Sequence, residues 1–282
     1  MKLRKARVAG SFYSGTKTAL TSEIEHCFTH RLGPGQLPTL AKVGERKLVG
    51  LVCPHAGYMY SGPVAAKSYF ELADDGRPST IVIIGPNHTG EGSGVSMMPE
   101  GVWETPLGQV EVDEETASVI SKASDMIDLD DRAHLYEHSI EVQLPFLQYV
   151  LKTGFRFVPI CMMMQDQETS AEVGKAVGEA LKGRDGLVIA SSDMTHYESA
   201  DSAKRKDRLA IDAILALDDA RLQETVESHR ITMCGHGPVA SAIAASKILN
   251  AKAARLLGYS TSGDITGDDR AVVGYLAASI HK

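Results

Sequence analysis

The sequence predicts a three-layer α/β/α domain with a mostly parallel central sheet. Three observations carry this. Compact apolar runs alternate with amphipathic stretches from one end of the chain to the other. The Ile/Val run Thr80 to Gly85 has the continuous apolar character of a strand covered on both faces. Four polar motifs interrupt apolar runs: Cys53-Pro54-His55, Pro86-Asn87-His88, Ser191-Ser192-Asp193 with His196, and Cys234-Gly235-His236. Three of them directly follow strand-like stretches, Leu48 to Val52, Ile81 to Gly85 and Leu187 to Ala190. Loops at the carboxyl ends of parallel strands line one crevice. His, Cys and Asp residues far apart in sequence are therefore expected to meet.

The elements follow in order. Lys17 to Thr29 reads as a helix, and the Gly/Pro-rich stretch Leu32 to Leu40 as a surface loop. Lys47 to Cys53 is a strand, and Pro63 to Leu72 a helix opening with proline in its first turn. After Thr80 to Gly85, residues 94–112 read as shorter strands around the turn Thr105-Pro106-Leu107-Gly108. Glu114 to Ala123 is helical. So is Glu137 to Leu151, with Pro145 expected to kink or end it. A strand at Arg156 to Met162, a helix at Ser170 to Leu181 and a strand at Gly186 to Ala190 come next. Helices are expected at Ala203 to Leu217, Ala220 to Ser228 and Pro238 to Leu249, and strands at Ala253 to Ser260 and Ala271 to Ser279. No repeat or linker divides the chain, so residues 1–282 are expected to form one domain.

A chain of 282 residues buries a large core, and its 43% hydrophobic content is ordinary for a globular protein. The net charge is -7, without a basic run that would track phosphates, which argues against nucleic acid. The longest apolar stretches, such as Ala271 to Ile280, are too short to span a bilayer. The basic start Met1-Lys2-Leu3-Arg4-Lys5 lacks a following apolar segment, so a signal peptide is not expected. The four cysteines, Cys27, Cys53, Cys161 and Cys234, have no paired spacing, which suits a reducing cytoplasm.

Each motif suggests its own chemistry. His55 and His88 occupy equivalent loops after two strands taken as neighbours, and imidazole is both a common metal ligand and an acid/base near neutrality. The alternative for either is a hydrogen-bonded core histidine. Cys234 precedes a helix start, where the dipole would favour a thiolate and ligation. It could equally be a small buried hydrophobe, although flanking glycines leave room for something to approach. Asp193 could be an N-cap. His196, three residues later, could act as acid or base or orient a ligand. His134 and His138 with Glu137 fit the His-x-x-Glu-His pattern of inverted zinc peptidases, against the plainer reading of a helix start. Gly10 to Thr18 resembles a phosphate loop, but its lysine is misplaced and no strand precedes it.

With these residues assembled, the chain resembles the Memo family, the AmmeMemoRadiSam system protein B group. The resemblance runs almost end to end. It includes Ala9 to Tyr13, Pro54 to Tyr58 with Ser61-Gly62, Gly85 to His88, Trp103 to Gly108, Glu137 to Glu141 with Leu144-Pro145, Ser191 to Asp193 with His196, Cys234-Gly235 with Pro238, and Val273 to Tyr275. His134 and His236 lie outside the family's motifs.

The resemblance implies a fold like that of class III extradiol dioxygenases, which hold a non-haem iron through two histidines and a glutamate. Carried onto this chain, the metal ligands are His55, His88 and Cys234, with His196 as acid/base and Asp193 and His138 beside them. A thiolate is softer than a carboxylate and shifts preference toward copper(I), zinc or thiolate-bound iron. The expected cofactor is therefore iron or copper, with zinc as an alternative. The implied function is redox chemistry on a small molecule, associated with a radical SAM protein and an AMMECR-type protein. Two other readings stay open. One is a peptide- or phosphopeptide-binding module that keeps the inherited pocket, with anion sites at helix starts near Asp193 and Pro238. The other is a metal-dependent hydrolase.

Overall fold

A computed structural model of the chain describes residues 2–42, 44, 46–152 and 154–282. β1 (Leu3–Arg4) opens it, and α1 (Lys17–Thr29) follows, capped by the Thr16 hydroxyl on the Ala19 N–H. β2 (Leu48–Cys53) leads into α2 (Tyr58–Asp75) and then β3 (Thr80–Pro86). The short strands β4 (Val95–Met97), β5 (Val102–Thr105) and β6 (Gly108–Glu111) precede α3 (Glu114–Ala123), which Asp113 caps. After β7 (Asp128–Leu129) come two 3-10 turns, Arg132–His134 and Glu141–Gln143, the second running into α4 (Leu144–Leu151). β8 (Phe157–Met162), α5 (Gln167–Leu181), β9 (Gly186–Ser191) and β10 (His196–Glu198) follow. The chain continues through α6 (Ala200–Leu215), α7 (Asp219–Ser228), α8 (His236–Ile248), β11 (Ala253–Thr261), α9 (Gly263–Thr266) and β12 (Val272–His281).

The large sheet has nine strands in the order β10-β12-β2-β9-β3-β8-β4-β7, with β11 on β12, and β1-β5-β6 form a small separate sheet. The four central strands β2, β9, β3 and β8 are parallel. Antiparallel pairing begins where β12 joins β2 and where β4 joins β8. Side chains of β3 alternate between two cores, as a period of two requires. Val82 and Ile84 pack with Val173 and Val177 of α5 and Val239 and Ile243 of α8. Ile81 and Ile83 pack on the opposite side with Leu20 and Ile24 of α1, Tyr69 and Leu72 of α2, and Phe146 of α4. The molecule is a mixed α/β fold with helices on both faces of its sheet.

Several expectations change. β2 and β3 are not neighbours, because β9 lies between them. α2 starts five residues before Pro63, which sits inside it. The carbonyl that Pro63 leaves without an i+4 donor belongs to Met59, a 63% exposed residue in the first turn, where water can serve it. No helix starts at Asp193, so it is not an N-cap, and the anion site expected at a helix start there has no helix to supply it. Residues 137–140 are not helical, for reasons that belong to the site.

Candidate metal centre

The exits of β2, β9 and β3 carry His55, Asp193 and His88 to one crevice. His138 arrives from the segment between β7 and α4. Among the described residues, His55, His88 and His138 form the group whose donor atoms all lie within 4.8 Å of one another. Their ring centroids are 5.2 Å apart for His55 and His88, 5.4 Å for His55 and His138, and 4.7 Å for His88 and His138. His55 is buried, His138 half-buried, and His88 opens toward solvent.

Hydrogen bonds fix which nitrogen of the His55 and His88 rings is the inward one. The Ser191 hydroxyl donates its one proton to the Ser139 carbonyl at 2.6 Å and accepts from Gln143 Nε2 at 2.8 Å. Its contact with His55 Nδ1, also 2.8 Å, must then be donated by the ring. That leaves a lone pair on His55 Nε2. Glu137 Oε1 accepts from His88 Nδ1 at 2.9 Å, which leaves His88 Nε2 free in the same way. This arrangement, with the outer nitrogen held by a polar partner, is the one that orients metal-binding imidazoles.

Glu137 explains the missing helix turn. Its carboxylate accepts the backbone N–H groups of His88 (2.5 Å), His138 (2.8 Å) and Ser139 (2.8 Å). The buried Arg4 guanidinium takes the carbonyls of His134 (2.9 Å) and Glu137 (2.6 Å), and pairs with the Glu141 carboxylate. Side chains thus satisfy the backbone groups that a helix would have used.

The same contacts set the protonation states. Burial, aided by the charges of His138 and His88, holds His55 well below the usual imidazole range. Burial also lowers His138, to about 4. Burial would lower His88 too, but the hydrogen bond and charge of Glu137 outweigh it and raise this ring. Asp193 accepts the His55 N–H at 2.8 Å, yet burial dominates and raises its carboxyl to about 6.

Cys234 stands beside this group and is not a member of it. Its sulfur is 3.2 Å from His55 Nε2 and accepts the Asp193 N–H at 3.3 Å. Burial, then the Asp193 charge, pushes the thiol up, against the lowering expected from a helix start. Nor do the nearby glycines make room for a ligand. A Cβ on Gly235 would lie 2.5 Å from the Ser191 carbonyl oxygen, and one on Gly237 would lie 2.7 Å from Gln165 Cβ. They let the start of α8 pack closely. His196 Nδ1 donates to the Thr232 carbonyl at 2.8 Å, so in the neutral ring Nε2 carries the lone pair.

A cleft of about 790 Å³ opens over these groups. His55, His88, His138, Asp193 and His196 line it, together with the rings of Phe12, Tyr60, Tyr197 and Tyr275. Tyr197 is 79% exposed and has φ +60°, a left-handed conformation unusual for an aromatic residue. It sits where the β10–β12 register shifts between His196 and Glu198. His134 lies elsewhere: it is fully buried, and its Nε2 donates to the Ser96 carbonyl at 3.2 Å. His236 Nδ1 is bound to Gln223 Oε1 at 2.7 Å.

The family model for Memo-like proteins matches residues 4–279. The chain belongs to the Memo family. It is 54% identical over 275 residues to a MEMO1 family protein of Methanothermobacter thermautotrophicus, covering 97% of this chain and 98% of that one. A MEMO1 family protein of Methanopyrus kandleri is 51% identical over 276 residues, covering 97% of each. One from Methanocaldococcus jannaschii is 49% identical over 287 residues, covering 99% of each.

In this Memo-family chain the sequence motifs marked the histidines but not what supports them. Glu137 looked like a first-turn helix residue, and its role as a buried acceptor appears only when the β3 exit packs on it. Arg4 carried no signal at all. Among the described residues, no helix is long and apolar enough to cross a membrane.

Proposed function

We propose that this protein binds a redox-active transition metal, iron or copper, and uses it to oxidise a small molecule held in the cleft. One observation carries the reading: His55 and His88 each spend Nδ1 on a polar partner and keep Nε2 free at one crevice. The donor set fits an ion. Two imidazoles are pre-oriented, a third lies within reach, and a thiol is 3.2 Å from His55 Nε2. His55, His88 and Cys234 are the ligands we propose, and His138 is near enough to contribute. The ion would supply redox chemistry that no side chain here provides.

The chain's own groups do the rest. His196 spends Nδ1 on the Thr232 carbonyl, and in the neutral ring its Nε2 can take a proton from a bound hydroxyl or amine. Asp193, raised to about 6, can hold or release a proton near neutrality while its hydrogen bond fixes the backbone of His55. The aromatic rings lining the cleft favour a ligand with an apolar face.

The cleft bears on the phosphopeptide reading as well. Among the described residues lining it there is no Lys or Arg. A phosphate would find no lysine or arginine among those residues and would meet Asp193 and Asp268, the latter already paired with Arg270, which favours the small molecule. The free cysteines and the site thiol suit a reducing compartment, and we place the protein in the cytoplasm.

Anaerobic purification followed by metal analysis tests the proposal. The chain should take up iron(II) or copper(I) near one equivalent, and His88→Ala should lose that uptake. Wild-type protein that binds neither ion would refute it.

A further inference from the structure

The strand that carries His196 has little of its own to hold it. β10 is three residues long, and its pairing with β12 shifts register between His196 and Glu198. Between those two sits Tyr197, left-handed and exposed, with its ring 5.9 Å from that of His196. Such a conformation persists only where the surroundings over-determine it. Here one helix does much of the holding. Ser202 and Lys206 of α6 each donate to the Glu198 carboxylate at 2.6 Å. Asp207, the next residue of α6, reaches the other end of the strand. Its Oδ1 accepts the Thr195 N–H at 3.0 Å and the Thr195 hydroxyl at 2.6 Å, and its Oδ2 accepts the Tyr259 hydroxyl at 2.6 Å. Asp207 is fully buried, so these bonds are what make its burial tolerable. The gap it enters exists because β12 has glycine at 274, where a Cβ would collide with Asp207 Oδ2. Gly274 also clasps the same segment, donating to the Thr195 carbonyl at 2.9 Å and accepting the Met194 N–H at 2.8 Å.

We propose that Asp207 is a positioning residue for the cleft: acting through Thr195, it holds His196 where its Nδ1 can donate to the Thr232 carbonyl. Among the described residues lining the cleft none belongs to α6, so Asp207 acts from behind the strand and touches no ligand. The His196 backbone N–H meets the Thr232 hydroxyl at 2.7 Å, and the ring meets the carbonyl of the same residue at 2.8 Å. Both contacts require the chain just before His196 to stay where Asp207 fixes it. If Thr195 drifts, Nδ1 loses its acceptor, and a neutral imidazole without that acceptor exchanges between its two tautomers. Part of the population then carries its proton on Nε2 and has no lone pair there. The outer partner of a reactive imidazole sets its tautomer, and Asp207 sets the alignment of that partner. This inference rests on the reading of His196 as the proton-accepting group, and its test needs neither metal nor substrate.

Nitrogen NMR of metal-free protein with isotope-labelled histidine reads the tautomer directly. Wild type, Asp207→Ala, Asp207→Asn and Thr195→Val are compared in mildly alkaline buffer, with His196→Gln to assign the signals and circular dichroism to confirm folding. Wild-type His196 should show a protonated Nδ1 and an unprotonated Nε2. Asp207→Ala should move both signals toward the averaged positions of a ring exchanging between tautomers. Asp207→Asn keeps a side-chain oxygen that can accept from Thr195, and should restore the wild-type signals. His134, buried elsewhere with its Nε2 on the Ser96 carbonyl, should be unmoved throughout, which a general loosening of the fold would not allow. Wild-type His196 signals in folded Asp207→Ala would overturn the proposal. So would His134 signals that move with those of His196, an asparagine variant that behaves like the alanine one, or a wild-type ring protonated on Nε2. If Asp207→Ala does not fold, Thr195→Val decides in its place. It removes the hydroxyl bond alone, and unmoved His196 signals there would overturn the proposal. None of these outcomes depends on metal uptake, so this inference and the metal-binding reading fail separately.

Discussion

Replacing Glu137 with Gln tests the support of the site without touching a ring. Glu137 is 1% exposed and accepts four hydrogen bonds. Three reach Oε1, from His88 Nδ1 and the N–H groups of His138 and Ser139, and one reaches Oε2, from the His88 N–H. Glutamine keeps the first oxygen but turns an NH₂ toward the His88 N–H. That leaves a donor facing a donor, at a cost of about 1–3 kcal/mol. The three remaining bonds lose their charge assistance, which roughly halves them. The expected total is about 2–5 kcal/mol of stability.

Metal affinity measured at pH 8 should fall about 10–100-fold. The pH dependence carries the diagnostic. Glu137 raises His88, so in the wild type a proton competes for the ring as pH falls. The variant loses that raising influence, and burial then lowers the ring. Its deficit should therefore shrink as pH drops from 8 toward 6. The assay is metal affinity by competition titration at several pH values, with urea unfolding alongside. An unchanged affinity at pH 8, or a deficit that widens in acid, would refute the assignment of Glu137 as the group that orients His88.

Three further outcomes follow from the structure. Arg4→Met should cost about 3–5 kcal/mol, because it strands the fully buried Glu141 carboxylate; a urea midpoint close to wild type would contradict this. Asp193 is raised from 3.8 to about 6, so between those values the folded chain holds a proton that the unfolded chain has released. Stability from this group is therefore lost as pH rises across that window, by up to about 3 kcal/mol. Asp193→Asn should gain on the wild type between pH 4 and pH 7, and parallel stability curves would exclude the effect. Tyr197→Gly should stabilise the fold by about 0.5–1 kcal/mol, since a left-handed aromatic costs about 1–3 kcal/mol and glycine's added chain entropy offsets part of the relief. Calorimetry showing a lower melting temperature would count against strain at that position.

Much of the fold was legible because it rests on local pattern. The bounds of α1 and α3 match their sequence reading, and the central strands fall within a residue of it. The short pieces β1, β7, β10 and α9 carry too few residues to show a period. Strand order was not legible either: nothing local to Leu48–Cys53 or Thr80–Pro86 says that β9, a hundred residues later, enters between them. At the site, His55, His88, Asp193 and His196 announced themselves by following strands. His138 was visible only as part of a motif. Its position depends on Glu137 and Arg4, whose partners are 49 and 133 residues away, and no window of sequence contains those pairs.

The insertion of β9 between β2 and β3 makes the sheet a spacer gauge. Two strand intervals of about 4.8 Å each set the bases of the two histidine loops roughly 10 Å apart. The loops must lean inward over the tip of β9 for their rings to come as close as they do. Ser191, at that tip, is the wedge on which the His55 ring leans. A single residue added after Ser191 would push the jaws apart without altering any ligand, and grip would be lost with every histidine still in place.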